Sequence, residues 1–340
     1  MMNKGIFRLA AASAAVLLLA SCSNTEKLLD SSKEERTVVM TAGEFDVPME
    51  IYRYVALNYK SQYEKGKSTD IWLGEEGQAL MDEMNTNIRE TIVNMYTTPS
   101  LAAEYGIDID SKFVRETLDT SMELIYEGYD NDYAAYAEYL RDYNMTDSVY
   151  RFFVRNDILA EELVLKMLEK GEIPSSDEEL RAIIESDEFI RVKQILVPSD
   201  NGKTDEENYK TASEIYAKVL AGEDFDELIQ KHGGDLFMFN NPDGYYMCRG
   251  SYHESFENAA FALEVGEFSE IVETDAGYSI IKRYEKESSY TDKNFASLAD
   301  TYVESRYNIA LEAHSATVEV TDTDKLADYP IFNLSMNSED

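Results

Sequence analysis

Hydrophobic positions along the chain change their period twice. From about residue 47 to residue 185 they recur every three or four places, from 187 to 287 short alternating runs take over, and after 289 the helical spacing returns. The first part opens with a short strand at 37–41, a turn at Gly43 and a helix starting near Val47-Pro48. Tyr52, Tyr59 and Tyr63 fall at near-helical spacing in that helix. Residues 75–105 predict a helix stopped at Gly106, 111–129 a second, and 146–171 a third running from a Thr146 cap to Gly171. Ser175 and Glu178 fit a capping box for the next. Tyr126, Tyr129, Tyr133, Tyr136, Leu140 and Tyr143 are spaced by three and four, so a continuous helix here carries one aromatic stripe. That stripe either packs onto neighbouring helices or offers extended polypeptide an amphipathic surface.

The middle part reads as an α+β unit of about 100 residues with a small mixed or antiparallel sheet. Its pieces are a strand at 189–197, the helix in "EENYKTASEIYAKVLAG", the short helix "FDELIQKH", and a Gly/Asn/Pro/Asp-rich stretch ending in "GYYM". A helix "SFENAAFAL" with a stop at Gly266 follows, then strands "FSEIVET" and "GYSIIKRYE" joined by Asp275-Ala276-Gly277. In the first strand, Arg191, Lys193, Ile195 and Val197 share one face, and Val192, Gln194 and Leu196 share the other. An amide thus sits on a face that ought to be dry. Beyond the unit, residues 289–321 predict a returning helix and a strand-like 316–321, followed by a polar tail, 322–340. Pairing of 37–41 with 316–321 inserts the α+β unit into the helical one.

The N-terminus adds a location. Lys4 and Arg8 precede an apolar run too short to span a bilayer comfortably, and the run ends in Leu19-Ala20-Ser21-Cys22. That looks like a bacterial lipobox, with cleavage before Cys22 and a lipid on its sulfur. An ordinary secretion signal and an uncleaved anchor are the alternatives. Residues 22–36 then form a polar tether. Without the leader, 29 basic residues face 67 acidic ones, a charge of about −38. This argues against nucleic acid or an anionic surface as partner. It favours solubility and cationic or unfolded clients. Cys248 has no partner once Cys22 is consumed, and three His without paired Cys argue against a zinc site. No nucleotide-loop, GxSxG, HExxH or dinucleotide fingerprint is present, so no cofactor is implied.

The middle unit resembles a parvulin-type (PpiC, rotamase) peptidyl-prolyl isomerase. The likeness is carried by "VKQILV", by the helix pair ending "AKVLAGEDFDEL", by "FENAAFAL" with "VGEFSEIVET", and by "GYSIIKR". The helical part, with its "AAEYGIDID" turn and returning helix, is similar to the chaperone domain of PrsA-type and SurA-type foldases, and PrsA-type foldases are anchored lipoproteins. The fold class implied is α+β: a helical chaperone domain (37–185, completed by 289–321) with an inserted parvulin-like domain (187–287) built on a four-stranded sheet.

The resemblance also implies site residues, with departures. Parvulins carry His at the positions of Gln194 and Ser279; both are replaced. A third active position, Cys or Asp, lies ten residues beyond the Phe of the "F-x-x-L" helix, which from Phe225 gives Asp235. The ungapped count keeps the 31-residue step from Phe225 to Phe256, so "GGDL" at 233–236 is out of register with the family's later Gly-Gly-Asp-Leu. Phe256 then falls on the floor of the proline pocket, Tyr252 where parvulins usually carry Met, and Met247 on another wall. Cys248 is not the family's catalytic Cys, and His253 either stands in for lost imidazole or is a surface residue. Prolyl isomerisation needs a pocket that grips the ring and a site that favours the twisted amide. Gln194 and Ser279 are expected to bond to each other across adjacent strands and to supply no titratable group. The expectation is an extracytoplasmic, lipid-anchored folding factor binding unfolded or X-Pro-containing secreted polypeptides, with weak or lost isomerase activity. The alternative is an active prolyl isomerase.

Overall fold

A computed structural model of the chain describes residues 35–334. The expected leader, the expected lipidation position Cys22, nearly all of the expected tether and the last residues of the polar tail lie outside the described residues. Within them the chain divides into two units, one comprising residues up to 167 and from 310 onward, the other Leu168–Ile309.

The first unit is helical around a small sheet. Its elements are β1 (Val38–Ala42), β2 (Phe45–Pro48), α1 (Met49–Glu64), α2 (Gly74–Glu104), α3 (Lys112–Gly128), α4 (Tyr133–Asp142) and most of α5 (Asp147–Glu169). The expected pairing of distant strands is present: β1 lies centrally between β2 and β7 (Val320–Asp322), antiparallel to both, with Met40 opposite Asp322. Met40, Val47, Ile51, Val55, Ile88, Ile92 and Phe152 share one buried cluster. Thr146 caps α5 as expected, its Oγ1 accepting from the Val149 N–H.

Two local expectations are corrected. The cap before the helix near 177 is Ser176 with Glu179, one residue later than Ser175 and Glu178, and is a side-chain cap and not a full box: Ser176 Oγ accepts from Glu179 N and donates to its carboxylate. The tyrosine stripe is also not one helix. Asp130 and Asn131 adopt φ of 55° and 57°, a conformation that short polar side chains tolerate, and Asp132 caps α4 through the N–H groups of Ala134 and Ala135. The tyrosines therefore fold back on one another from α3 and α4.

The second unit contains α6 (Asp177–Glu185), β3 (Ile190–Pro198), α7 (Asp205–Leu220), α8 (Phe225–His232), α9 (Leu236–Asn240), β4 (Tyr245–Met247), α10 (Glu254–Ala262), β5 (Phe268–Thr274), β6 (Gly277–Tyr284), α11 (Ser288–Lys293) and the start of α12 (Phe295–Ser315). Its sheet runs β4-β3-β6-β5 and is antiparallel throughout. The alternation read in β3 buries both faces. Ile195 and Val197 pack on Ala212, Ile215 and Leu228 of α7 and α8, whereas Ile190 and Val192 pack on Met247, Phe256 and Ile281. Each such aliphatic side chain contributes roughly 1.5–3 kcal/mol. The apolar faces of α6 and α12 share a third cluster with Phe189, Tyr246 and Cys248. Gly244 and Gly250, on either side of β4, have φ of 78° and 88°, and a Cβ there would come within 2.5 Å of Val192 O and 2.7 Å of Ser305 O. These close approaches fix the strand that carries Tyr245.

Candidate active site

β3 and β6 are neighbours, with Leu196 opposite Ser279 and Gln194 opposite Ile281. Ser279 Oγ, on the neighbouring strand, donates to Gln194 Oε1 at 2.8 Å, which is the cross-strand bond expected of this pair. Gln194 Nε2 then donates to Asp235 Oδ2 at 2.8 Å. Asp235 ends the loop after α8 and caps α9, its Oδ1 accepting from Phe237 N at 2.8 Å. Tyr245 Oη donates to the same Oδ2 at 2.7 Å. A carboxylate only accepts, so the Gln194 amide has a single orientation and every donor runs toward Asp235. Burial, and next the Asp235 carboxylate, push the Tyr245 hydroxyl above its ordinary pKa, so it stays a donor.

Beside this network lies a row of rings. Tyr252 sits 5.5 Å from Phe256, Tyr245 meets Tyr252 edge-on at 5.1 Å, and Phe237 stacks flat on Tyr245 at 4.6 Å. Phe256 is buried at the base while Tyr252 stands partly open. Met247 is fully buried in the same cluster as Phe256. It therefore supports the floor from below and presents no wall, because on the short strand β4 its side chain faces the core opposite Ile190. Burial, followed by Asp235, also raises the Tyr252 hydroxyl.

The loop that carries Tyr252 hangs on one buried acid. Glu257 accepts from the N–H groups of Gly250, Ser251 and Tyr252 at 2.8–3.0 Å. His253 stays outside the polar network, exposed, and close to Asp275 at 3.4 Å. Cys248 is buried, donates to Ser305 Oγ, and its thiol is pushed up by burial. That makes it a packing residue without thiolate character. The sequence reading brought Gln194, Ser279, Asp235, Phe256 and Tyr252 to one place, and the structure places them together. It missed Tyr245, Phe237 and Glu257. The only signals in the sequence were the first tyrosine of "GYYM" and an acid inside "FENAAF", and neither by itself marks its role.

Phe256 and Tyr252 thus stand beside a network of neutral donors that converges on one carboxylate. Residues 189–285 match the rotamase family, the PPIC-type PPIase domain, and the parvulin likeness read from the sequence stands. Over a longer span the chain is similar to the foldase protein PrsA of Caldanaerobacter subterraneus subsp. tengcongensis, 26 % identical over 280 residues, covering 78 % of this chain and 77 % of that protein. It is also similar to the foldase protein PrsA of Bacillus subtilis, 27 % identical, covering 64 % and 68 %. A crystal structure of the peptidylprolyl isomerase PrsA from Bacillus anthracis superposes with a TM-score of 0.38 at 18 % identity, covering 68 % of this chain and 98 % of that one. Among the described residues, no helix is long and apolar enough to cross a membrane.

Proposed function

We propose that the protein is a lipid-anchored extracytoplasmic folding factor that binds unfolded secreted polypeptides, and that its parvulin-like domain recognises X-Pro segments while turning them over weakly or not at all. The observation that carries this reading is the closed chain Ser279–Gln194–Asp235–Tyr245 beside an intact aromatic floor. The pocket supplies grip on the proline ring. The network, lacking imidazole, spends its donors on itself rather than on an amide that is losing resonance. The uncatalysed barrier of ~18–20 kcal/mol leaves much to supply. The similarity to foldases named PrsA supports the folding role, the Leu19-Ala20-Ser21-Cys22 sequence supports the anchor, and the charge of −36 suits cationic or unfolded clients. The helical parts, 37–185 and 289–321, are the proposed chaperone domain. A second reading, an active isomerase, is favoured by Asp235 standing where the family has an active Cys or Asp.

Exchange spectroscopy on short X-Pro peptides decides between them. Low turnover is expected, rising in the double variant Gln194→His/Ser279→His. Turnover in the unaltered protein matching a His-containing parvulin, and lost on Phe256→Ala, sinks the reduced-activity reading. Failure of the whole protein to suppress aggregation of an unfolded client removes the folding role. Lipid labelling that survives Cys22→Ala removes the anchor.

A further inference from the structure

We propose that the apolar surface around Trp72 in the first unit is a docking site for apolar stretches of unfolded polypeptide, and that the chain's own segment 326–334 occupies it until such a stretch displaces it. This rests on the folding role proposed above and gives that role a surface. The segment comes from the stretch read as a polar tail, and it runs through two short 3-10 turns, Leu326–Asp328 and Ile331–Asn333. Ile331 is buried in the main cluster of the first unit, and Leu326, Tyr329 and Leu334 pack half-buried against that cluster. Phe332 meets Trp72 edge-on at 5.7 Å, and Trp72 lies 6.0 Å from Tyr63 of α1.

The way the segment is held makes it exchangeable. Sheet pairing ends at Asp322, and Thr323 bonds to β1 through its N–H to Val39 O and its Oγ1 to Val38 O. Beyond it, among the described residues, 324–334 make hydrogen bonds only to Thr323 and to one another, as Tyr329 N does to Leu326 O and Leu334 N to Ile331 O. Side chains alone attach the segment to the body. Leaving costs its apolar contacts, and an incoming apolar stretch restores them without matching any backbone register. A tether this short holds the segment at an effective concentration of about millimolar, so weak contacts keep it seated.

The surface also extends past what the segment covers. Next to Trp72, Leu73 is 69 % exposed, and Phe332 itself is 44 % exposed. Trp72 Nε1 donates to Glu64 of α1 at 2.9 Å, and Tyr63 Oη donates to Glu83 of α2 at 2.7 Å. Both rings are therefore fixed by their polar edges whether or not the segment is seated.

Trp72 is the chain's single tryptophan, so its emission reads this surface directly. In the full-length variant Ile331→Ser/Phe332→Ser, the emission should shift to the red. Affinity for dye-labelled, reduced and alkylated lysozyme, a permanently unfolded client, should rise about fivefold, the gain expected if the segment is seated about four-fifths of the time. Phe332→Ser alone, at a position exposed enough to leave the core untouched, should shift both in the same direction by less. A synthetic copy of residues 324–334 carrying Pro330→Ala, so that no proline reaches the rotamase domain, should displace the lysozyme and return the emission to the blue. Equal lysozyme affinity in the unaltered and altered chains, or a copy that fails to compete, overturns the inference and leaves client binding elsewhere standing. Binding of the lysozyme by none of these chains takes the folding role down with it.

Discussion

Each unit sets an aspartate among tyrosines, and the two settings differ in instructive ways. In the first unit Asp147 is buried, accepts from Tyr126 Oη at 2.8 Å and Tyr136 Oη at 2.9 Å, and is paired with Arg151 at 2.7 Å. The rings around it pack edge to face, Tyr126 on Tyr136 at 5.1 Å and Tyr129 on Tyr136 at 5.6 Å. In the second unit Asp235 is half-buried, takes neutral donors, and adjoins rings that remain partly open. The same two residue types thus make a structural post in one place and a partly open polar network in the other. What separates them is the cation and the degree of closure. A carboxylate neutralised in a core holds helices together, whereas one held only by dipoles keeps an uncompensated field.

The largest effect expected from this contrast is on stability. Asp147→Ala leaves the Arg151 charge and two hydroxyls without their acceptor and should cost about 3 kcal/mol, read as a lower denaturant midpoint with unchanged slope. A loss below about 1 kcal/mol would erase the distinction drawn here. Next comes alkaline pH. Burial raises the hydroxyls of Tyr126, Tyr136, Tyr139 and Tyr150, and that of Tyr129 is pushed up to about 12 from an ordinary 10. A raised folded-state pKa means that the stabilisation is complete below pH 10 and is lost as pH rises toward 12. Tyrosinate absorbance of these residues should therefore appear together with unfolding; ionisation well before unfolding would show the cluster to be open. The smallest effect belongs to Asp235→Asn. A change of about 1 kcal/mol or less is expected, because the group is half-exposed and its donors can turn to water. Tyr245 should then ionise at lower pH, since the carboxylate that opposes its phenolate is gone. A larger loss of stability would make Asp235 a post like Asp147.

Much of the second unit was legible because its signals are local. Period-two runs, the Gly244 and Gly277 turns and the apolar helix faces specify strands and helices within a few residues. The Gln194–Ser279 bond follows once β3 and β6 are adjacent. Tyr245 and Phe237 escaped because their role depends on β4 returning beside β3, a tertiary fact that "GYYM" does not encode. Glu257 escaped because a helical acid usually faces water, and only the loop folding over it makes it an acceptor. In the first unit the stripe from Tyr126 to Tyr143 kept helical spacing straight through a turn. Asp130 and Asn131 break the helix by backbone conformation, which spacing alone does not register. The Ser175/Ser176 choice turned on one residue of register, beyond what a doublet of serines can specify.

The central position of β1 has a consequence for the order in which the chain acquires structure. Its partner Asp322 lies about 280 residues downstream of Met40, so one side of β1 stays unpaired until nearly the whole chain is available. Closing so long a loop is slow, and an unpaired edge invites other strands meanwhile. The inserted unit draws its sheet from residues 190–284 and can complete it first. A chain delivered from its N-terminus therefore finishes its middle before its beginning, and a folding factor of this design spends its own early life as an unfinished client.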